Sequence, residues 1–249
     1  MAKSALKFKI NADTDKMLVS VFSNDRHLIA PKLDAPDGMN YNIRLKMDGL
    51  DFLSRLEADS IPVAFFDPQY RGVLDKLGYG NEGVNRGKAR YSLEQMPENT
   101  IKAFISEMSK CLIPSGHLFL WMDKFHLCTG FSNWFEGTKF DIVDMLTWHK
   151  GRIGMGYRTR RISEHLVVLQ KRPRRAKGIW QIHDIPDVWY EEVKRGEHTH
   201  KKPVMLQGAL IAAVSNLGDL VIDPAAGSFS VLDACQNSGR NFLGCDLNG

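Results

Sequence analysis

Short apolar runs alternate along this chain with apolar positions at helical spacing. The pattern predicts strands at positions 40–46, 62–66, 117–122, 142–149, 165–170, 220–222 and 242–245. Helical spacing predicts helices at 50–56, 98–111, 204–216 and 230–237. Because strands and helices alternate, we predict an α/β fold with a mostly parallel seven-stranded sheet covered by helices on both faces. The strands at 142–149 and 165–170 predict an antiparallel hairpin, and a polar, glycine-rich stretch at 72–92 predicts a long surface loop.

Composition narrows the class of protein. With 249 residues, 43% of them apolar, the chain can bury one substantial core, and we predict a single domain over 1–249. Its four cysteines form no Cys-x-x-Cys pair, so we expect neither a disulfide framework nor a metal site, and a reducing cytoplasm is the expected location. No apolar run approaches the roughly 18 residues that cross a bilayer, so no membrane partner is expected.

Basic residues are concentrated between Lys150 and Lys177. These 28 residues hold ten basic side chains against one acid, Glu164, so the segment carries +9; the whole chain carries +4, and its remainder therefore carries −5. A basic block on a mildly acidic protein favours a phosphate-binding face, because affinity for nucleic acid grows with each phosphate neutralised. A solvated basic loop is the competing interpretation. The candidate phosphate ligands are Arg152, Arg158, Arg160, Arg161, Arg174 and Arg175.

A strand, a glycine-containing turn and a helix form a candidate cofactor site. The strand at 220–222 leads into DPAAGS at 223–228, and Asp246 ends the next strand, 19 residues after Gly227. Such an arrangement binds an adenosine-type cofactor through close backbone approach and a carboxylate on the ribose hydroxyls. The turn lacks the G-x-G-x-x-G pattern, so no pyrophosphate is implied. An ordinary tight turn is the competing interpretation.

The tetrapeptide DPQY at 67–70 follows a buried strand and suits methylation of a base amino group. The amino lone pair is delocalised into the ring, so a site must accept hydrogen bonds from both amino hydrogens to free it for attack. The Asp67 carboxylate and the Pro68 carbonyl can be the two acceptors, and Tyr70 offers a flat face to a base removed from the helix. A turn with an N-capping aspartate is the competing interpretation.

The order of these motifs resembles the β class of amino-methylating DNA methyltransferases. In this class the catalytic motif precedes the cofactor motif, a circular permutation of the usual methyltransferase order, and the resemblance runs from about residue 40 to residue 249. It implies a circularly permuted, Rossmann-like, S-adenosylmethionine-dependent methyltransferase fold. The segments that carry it are LKMDGLDFLSRL (45–56), DPQY (67–70), IPSGHLFLW (113–121), WHKGRIGMGY (148–157), EHLVVLQK (164–171), HKKP (200–203), DLVIDPAAGSF (219–229) and RNFLGCDLN (240–248).

The resemblance also implies which residues act. It makes Asp67, Pro68 and Tyr70 catalytic, and it places the strand that ends at Asp48 beside the strand that ends at Asp246, so that both border one cofactor site. For Asp48 a helix cap is the competing interpretation, and for Lys202 a solvated surface lysine. His200 is a less certain member of the HKKP motif. The residues implied to bind S-adenosylmethionine are Asp48, Lys202, Pro203, Asp223, Ala225, Gly227, Ser228 and Asp246.

The sequence departs from the family pattern at three positions. Gln69 stands where the family usually has a second proline, which puts the rate more in doubt than the mechanism. Ala225 replaces an aromatic residue, and Phe229 replaces a glycine. Our hypothesis is that Phe229 supplies the apolar cofactor contact that Ala225 lacks.

The resemblance places target recognition between about 173 and 199. This short interval holds Trp180, Trp189 and Tyr190, for which a place in the local core is the favoured interpretation. It predicts a short recognition sequence or weak preference, with basic residues making phosphate contacts. The implied reaction is methylation of adenine N6 in DNA, because position 67 is Asp rather than Ser, and a homodimer is one expected assembly. Cytosine N4, RNA and a non-catalytic nucleic-acid-binding relative stay open.

Overall fold

The computed structural model describes residues 30–32, 34–68, 96–154, 159–192 and 201–249. The predicted loop at 72–92 and the candidate residues Tyr70, Arg158 and His200 lie outside the described residues, as does Gln69. The strands are β1 (Leu45–Lys46), β2 (Ile61–Phe66), β3 (Leu112–Met122), β4 (Phe140–His149), β5 (Ser163–Lys171), β6 (Val188–Tyr190), β7 (Leu220–Asp223) and β8 (Asn241–Asp246). The α-helices are α1 (Gly49–Ser54), α2 (Glu98–Cys111), α3 (Lys124–Thr129), α4 (Val204–Val214) and α5 (Ser230–Ser238).

These strands form one sheet in the order β1-β8-β7-β2-β3-β5-β4-β6. Every neighbouring pair is parallel except the two that involve β5, which is antiparallel to both β3 and β4. The predicted mostly parallel sheet and the β4–β5 hairpin are therefore confirmed. Within the described ranges, no helix is both long and apolar enough to cross a membrane.

Helices cover both faces of the sheet, as predicted. Alternate residues of β2 point to opposite faces, so that Ala64 and Phe66 pack with α1 and α2, whereas Val63 and Phe65 pack with α4 and α5. Both clusters are almost entirely apolar. Burial of the two faces therefore holds the helices against the sheet and fixes where each strand ends.

The sheet differs from the prediction at its two edges. It has eight strands rather than seven, because the three-residue strand β6 pairs with the end of β4, and three residues are too few to show a period. At the other edge, only Leu45–Lys46 of the predicted strand at 40–46 is extended in the sheet. Asn42 has a left-handed backbone conformation and exchanges hydrogen bonds with the Phe242 backbone, which delays the start of β1.

Candidate active site

Three aspartates meet at the carboxyl edge of the sheet. Asp67 follows β2, Asp223 ends β7 and Asp246 ends β8, and these three strands are parallel neighbours. Adjacent strands lie about 4.8 Å apart, so their ends form one continuous rim. Asp67 and Pro68, the described residues of the 67–70 motif, therefore lie on the same side of the molecule as the Gly227 turn.

The strand β1 lies beside β8, as the permuted order implies. Leu45 pairs with Cys245 and Lys46 pairs with Asp246, which puts Asp48 on the same rim. The Asp48 carboxylate accepts hydrogen bonds from the amides of Leu50 (2.8 Å) and Asp51 (3.1 Å), so it caps helix α1. The helix-cap interpretation of Asp48 is confirmed, and its place near the cofactor adenine stays a prediction.

The turn at 223–228 is held by its own carboxylates. The Asp223 Oδ1 accepts from the Ala225 amide at 3.1 Å, and the Asp246 Oδ2 accepts from the Gly227 amide at 3.2 Å. Gly227 has φ +50°, and space opens in front of its Cα, where a Cβ would meet no atom within 4 Å. Burial raises the pKa of Asp223 to about 8, despite the amide of Ala225, and the neighbouring Asp67 and Asp246 charges add to this rise. A positively charged ligand at this turn would therefore favour the ionised form of Asp223.

Phe229 is packed into the core. Its ring is 1% exposed, contacts Phe242 edge-on with centroids 6.2 Å apart, and lies 5.2 Å beneath the Arg44 guanidinium carbon. The backbone of Phe229 is left-handed, with φ +58°, which explains why glycine is usual at this position in the family. The structure thus gives Phe229 a packing role, and its contact with a cofactor stays a prediction.

Replacing Phe229 by glycine relieves strain but removes a buried ring. The strain is about 1–2 kcal/mol and the ring contributes about 3–5 kcal/mol, so we expect Phe229→Gly to lower the free energy of unfolding by about 1–4 kcal/mol. Phe229→Ala keeps the strain and loses the ring, so it should be less stable than the glycine variant. Urea denaturation checks this order, and a glycine variant as stable as the unchanged protein would contradict it.

Lys202 joins two carboxylates at the rim. Its Nζ lies 2.9 Å from the Asp67 Oδ2 and 2.9 Å from the Glu164 Oε2. The other Glu164 oxygen, Oε1, lies 2.9 Å from the Lys150 Nζ. Beneath this group lies the Trp121 ring, whose centroid is 4.8 Å from the Lys202 ammonium. Lys202 is therefore a half-buried, paired cation, and the interpretation of it as a solvated surface lysine is wrong.

The pairing fixes the charges of this group. Burial opposes ionisation of Lys202, but the Asp67 and Glu164 carboxylates outweigh it and raise the pKa of Lys202 above its usual range. Burial likewise opposes ionisation of Glu164, and the Lys202 and Lys150 ammonium groups outweigh it and lower the pKa of Glu164 to about 2. At neutral pH Glu164 is an anion and Lys202 is a cation.

A carboxylate from the candidate recognition region caps helix α4. Pro203, at the start of α4, has no side chain that can accept from the first amides of the helix. The Glu191 carboxylate accepts instead from the amides of Met205 and Leu206, both at 3.0 Å. It also accepts from the Trp189 indole at 3.0 Å. Glu191 therefore anchors the segment from which Lys202 projects.

The basic block does not form one face. Strand β5 separates it, because Ser163 lies opposite His149 at the carboxyl end of β4, whereas Lys171 lies opposite Phe140 at its amino end. A nine-residue strand spans roughly 27 Å. Arg152, Arg160 and Arg161 therefore flank the active-site rim, and Arg174 and Arg175 lie at the opposite edge. The prediction of a single phosphate-binding face is wrong for this reason.

The aromatic residues of the candidate recognition region differ in burial. Trp189 is buried in the core, and Trp180 is half-buried with its indole donating to the Ile182 carbonyl. The core interpretation is confirmed for these two. Tyr190 is 60% exposed and stacks on His149, so the core interpretation is wrong for it.

The sequence reasoning missed Glu164, Glu191 and Trp121 as parts of the site. Glu164 carried a visible signal, since it is the one acid among ten basic residues. Trp121 lies within an apolar strand, and nothing in that pattern distinguishes it from an ordinary core residue. Glu191 caps a helix that begins more than ten residues later in the chain, and the known sequence patterns of helix caps involve only residues close to the start of the helix.

Comparisons with known proteins find a matching family model, relatives in sequence and similar solved structures. A family model described as DNA methylase (N6_N4_Mtase) matches residues 157–249. The chain is 53% identical over 207 residues to the type II methyltransferase M.HhaII of Haemophilus parahaemolyticus, covering 83% of this chain and 91% of the relative. The M1.HpyAVI complex with S-adenosylmethionine has a similar fold, with a TM-score of 0.57 at 18% identity over 80% of this chain and 90% of that one. The cytosine-N4-specific PvuII methyltransferase has a TM-score of 0.62 at 14% identity, over 81% and 80% of the two chains.

Proposed function

Because the chain belongs to the N6/N4 amino-methylating DNA methyltransferases, whose cofactor is S-adenosylmethionine, we propose that its target is N6 of an adenine flipped out of DNA. The observation that carries the proposal is the position of Asp67 and Pro68. They follow β2 directly and lie next to the end of β7, where the 223–228 turn begins. A base held by one motif therefore lies beside a cofactor held by the other.

Asp67 and Pro68 would activate the amino group. The Asp67 carboxylate accepts one amino proton and the rigid Pro68 carbonyl accepts the other, which draws the nitrogen toward tetrahedral geometry and frees its lone pair. The nitrogen then forms a bond to the methyl carbon, and the bond from that carbon to sulfur breaks. The methylated nitrogen returns to neutrality by losing one proton, and Asp67 is the acceptor nearest to it in this arrangement.

The residues of the rim suit the cofactor. S-adenosylmethionine supplies a methyl group on a positively charged sulfur and also bears an ammonium group, and Asp223 is a buried carboxylate whose raised pKa a cation would lower. Gly227 leaves open space at the turn, and Ala225 and Ser228 are half-buried beside it. Asp246 would bind the ribose hydroxyls, Asp48 would lie near the adenine, and Lys202 and Pro203 would lie at the methionine end.

Adenine is proposed rather than cytosine because of Asp67. The family resemblance associates aspartate at this position with adenine and serine with cytosine. Cytosine N4 requires the same two acceptors, so it is the second candidate. The likeness to the cytosine-N4-specific PvuII enzyme, at 14% identity, concerns the fold alone.

We also propose how the protein contacts DNA and in which biological context it acts. The candidate recognition region at 173–199 is short, which supports a short recognition sequence or weak preference. Arg152, Arg160 and Arg161 flank the rim and are proposed phosphate ligands, together with Arg158. The type II relative supports a role beside a restriction nuclease. A cytoplasmic location and a homodimer stay predictions, and mass measurement in solution tests the dimer.

Nucleoside analysis tests the proposed function. The protein is incubated with methyl-labelled S-adenosylmethionine and either unmethylated DNA or RNA of mixed sequence in parallel reactions, and the digested nucleosides are separated. We expect label in N6-methyl-2′-deoxyadenosine from DNA. Label in N4-methylcytosine, or transfer only to RNA, would overturn the choice of target, and DNA binding without any transfer would indicate a non-catalytic relative.

A further inference from the structure

Glu164 reaches the active-site rim because its strand is reversed. The parallel strands end at this rim, whereas β5 runs in the opposite direction and begins there. Helix α4 also begins at the rim, because it leads back to the start of the parallel strand β7. Glu164 and Lys202 thus stand at the starts of two elements and face Asp67, which stands at the end of a third.

The four charged groups form one continuous chain of contacts. Lys150 binds Glu164, Glu164 binds Lys202, and Lys202 binds Asp67, each at 2.9 Å between nitrogen and oxygen. The side chains of all four are 14–35% exposed, so water screens their attraction less than it screens fully exposed ion pairs. Because the Trp121 ring lies under the Lys202 ammonium, the lysine is held from below as well as from both sides.

This arrangement has a consequence for Asp67. An ammonium on Oδ2 fixes the direction of the Asp67 carboxylate, and the direction of an acceptor decides whether an amino proton can meet it. Two ammonium groups and two carboxylates also sum to zero charge. If the Glu164 charge were removed, a surplus positive charge would remain beside Asp67 and make its carboxylate a weaker proton acceptor.

We propose that Glu164 is a positioning residue of the methyl transfer, which acts through Lys202 to hold the Asp67 carboxylate in the direction and charge state that accept the target amino group. The proposal rests on the proposed function, since it assigns Asp67 its role. Glu164 itself touches neither base nor cofactor in this scheme. A purely structural Glu164, which only joins β5 to the start of α4, is the competing interpretation.

The variant Glu164→Gln separates these two roles, because it keeps the shape of the side chain and removes its charge. We expect kcat to fall by about 10–100-fold, while KM for S-adenosylmethionine and for DNA changes less than about threefold. The acidic limb of the kcat profile, which reports protonation of Asp67, should move to lower pH. Glu164→Asp, which keeps the charge at a shorter reach, should retain an intermediate kcat.

Other ionisable groups near Asp67 can also affect the acidic limb of the kcat profile. Lys202 binds it directly, Asp223 at the end of β7 interacts with it, and Asp246 lies beyond Asp223. On the side of Glu164, Lys150 follows β4, and His165 lies next to Glu164, with Lys124 near it. All of these stay unchanged in the variants, so a shift of the limb between the proteins reports the Glu164 charge.

Glu107→Gln is the matched control, because Glu107 pairs with Lys110 on the surface of α2. It should keep kcat, KM and the pH profile of the unchanged protein. An active unchanged protein whose Glu164→Gln variant keeps kcat and the acidic limb would overturn this inference alone. An unchanged protein that methylates no base would overturn the proposed function and this inference with it. If Glu164→Gln fails to fold, the kcat and acidic limb of Glu164→Asp decide, and values equal to those of the unchanged protein count against the inference.

Discussion

Replacing Asp67 by asparagine is expected to lower the rate of methyl transfer by about 10³-fold, because the site loses its charged acceptor for the amino group. The carboxamide keeps the size of the side chain and one neutral acceptor oxygen, so the base still enters the site. Cofactor affinity should change less than about threefold, because Asp67 is assigned to the base and not to the cofactor. Single-turnover transfer to DNA and equilibrium binding of S-adenosylmethionine measure the two effects separately.

Asp144→Asn is the matched control for this variant. Asp144 lies exposed on β4, where its carboxylate accepts from the Met145 amide at 2.8 Å, a bond that asparagine also makes. Its rate should equal that of the unchanged protein. A fall of less than about tenfold for Asp67→Asn would contradict the assignment of Asp67 as the charged acceptor.

Replacing Asp246 by alanine is expected to weaken binding of S-adenosylmethionine by on the order of 100-fold. Two hydrogen bonds from ribose hydroxyls to a carboxylate contribute about 1.5–3 kcal/mol each, and every 1.4 kcal/mol is a factor of ten, so 100-fold is a conservative expectation. Calorimetric titration with S-adenosylmethionine measures the change. DNA affinity in the absence of cofactor should stay within about twofold, because Asp246 is assigned no DNA contact.

The Asp246 carboxylate also has a structural task, which the experiment must separate. It accepts from the amides of Gly227 and Asn248, so its loss loosens the turn as well as the cofactor contact. The two amides bind different oxygens of the carboxylate, so Asp246→Asn keeps an acceptor for one of them and should bind the cofactor with intermediate affinity. If Asp246→Ala binds S-adenosylmethionine as tightly as the unchanged protein, Asp246 does not hold the ribose.

The rim of the sheet could be predicted from sequence because short apolar runs end at marked residues. Asp67, Asp223 and Asp246 each follow such a run, and parallel neighbours must end on the same side. The β4–β5 hairpin followed from two further runs flanking a loop. The division of the basic block by that hairpin could not be read from charge, because charge density along a chain does not say which residues a strand carries to opposite edges.

The contacts around Lys202 also could not be predicted from the sequence. A lysine that follows a histidine and another lysine carries no mark of burial, and its two carboxylate partners come from elements far apart along the chain. The role of Phe229 also could not be predicted from the sequence. A phenylalanine in place of glycine indicates a departure from the family pattern, but only the structure shows that the ring is buried in the core and that the backbone is left-handed.

The pairing of β1 with β8 has a consequence for synthesis of the protein. Asn42 and Phe242, which join the two strands, are 200 positions apart along the chain. A ribosome that adds about 5–20 residues per second would therefore complete β8 roughly 10–40 s after β1. Until then the nascent polypeptide lacks the carboxylate assigned to the ribose. We expect it to acquire affinity for its methyl donor only after β8 has been synthesised and paired with β1.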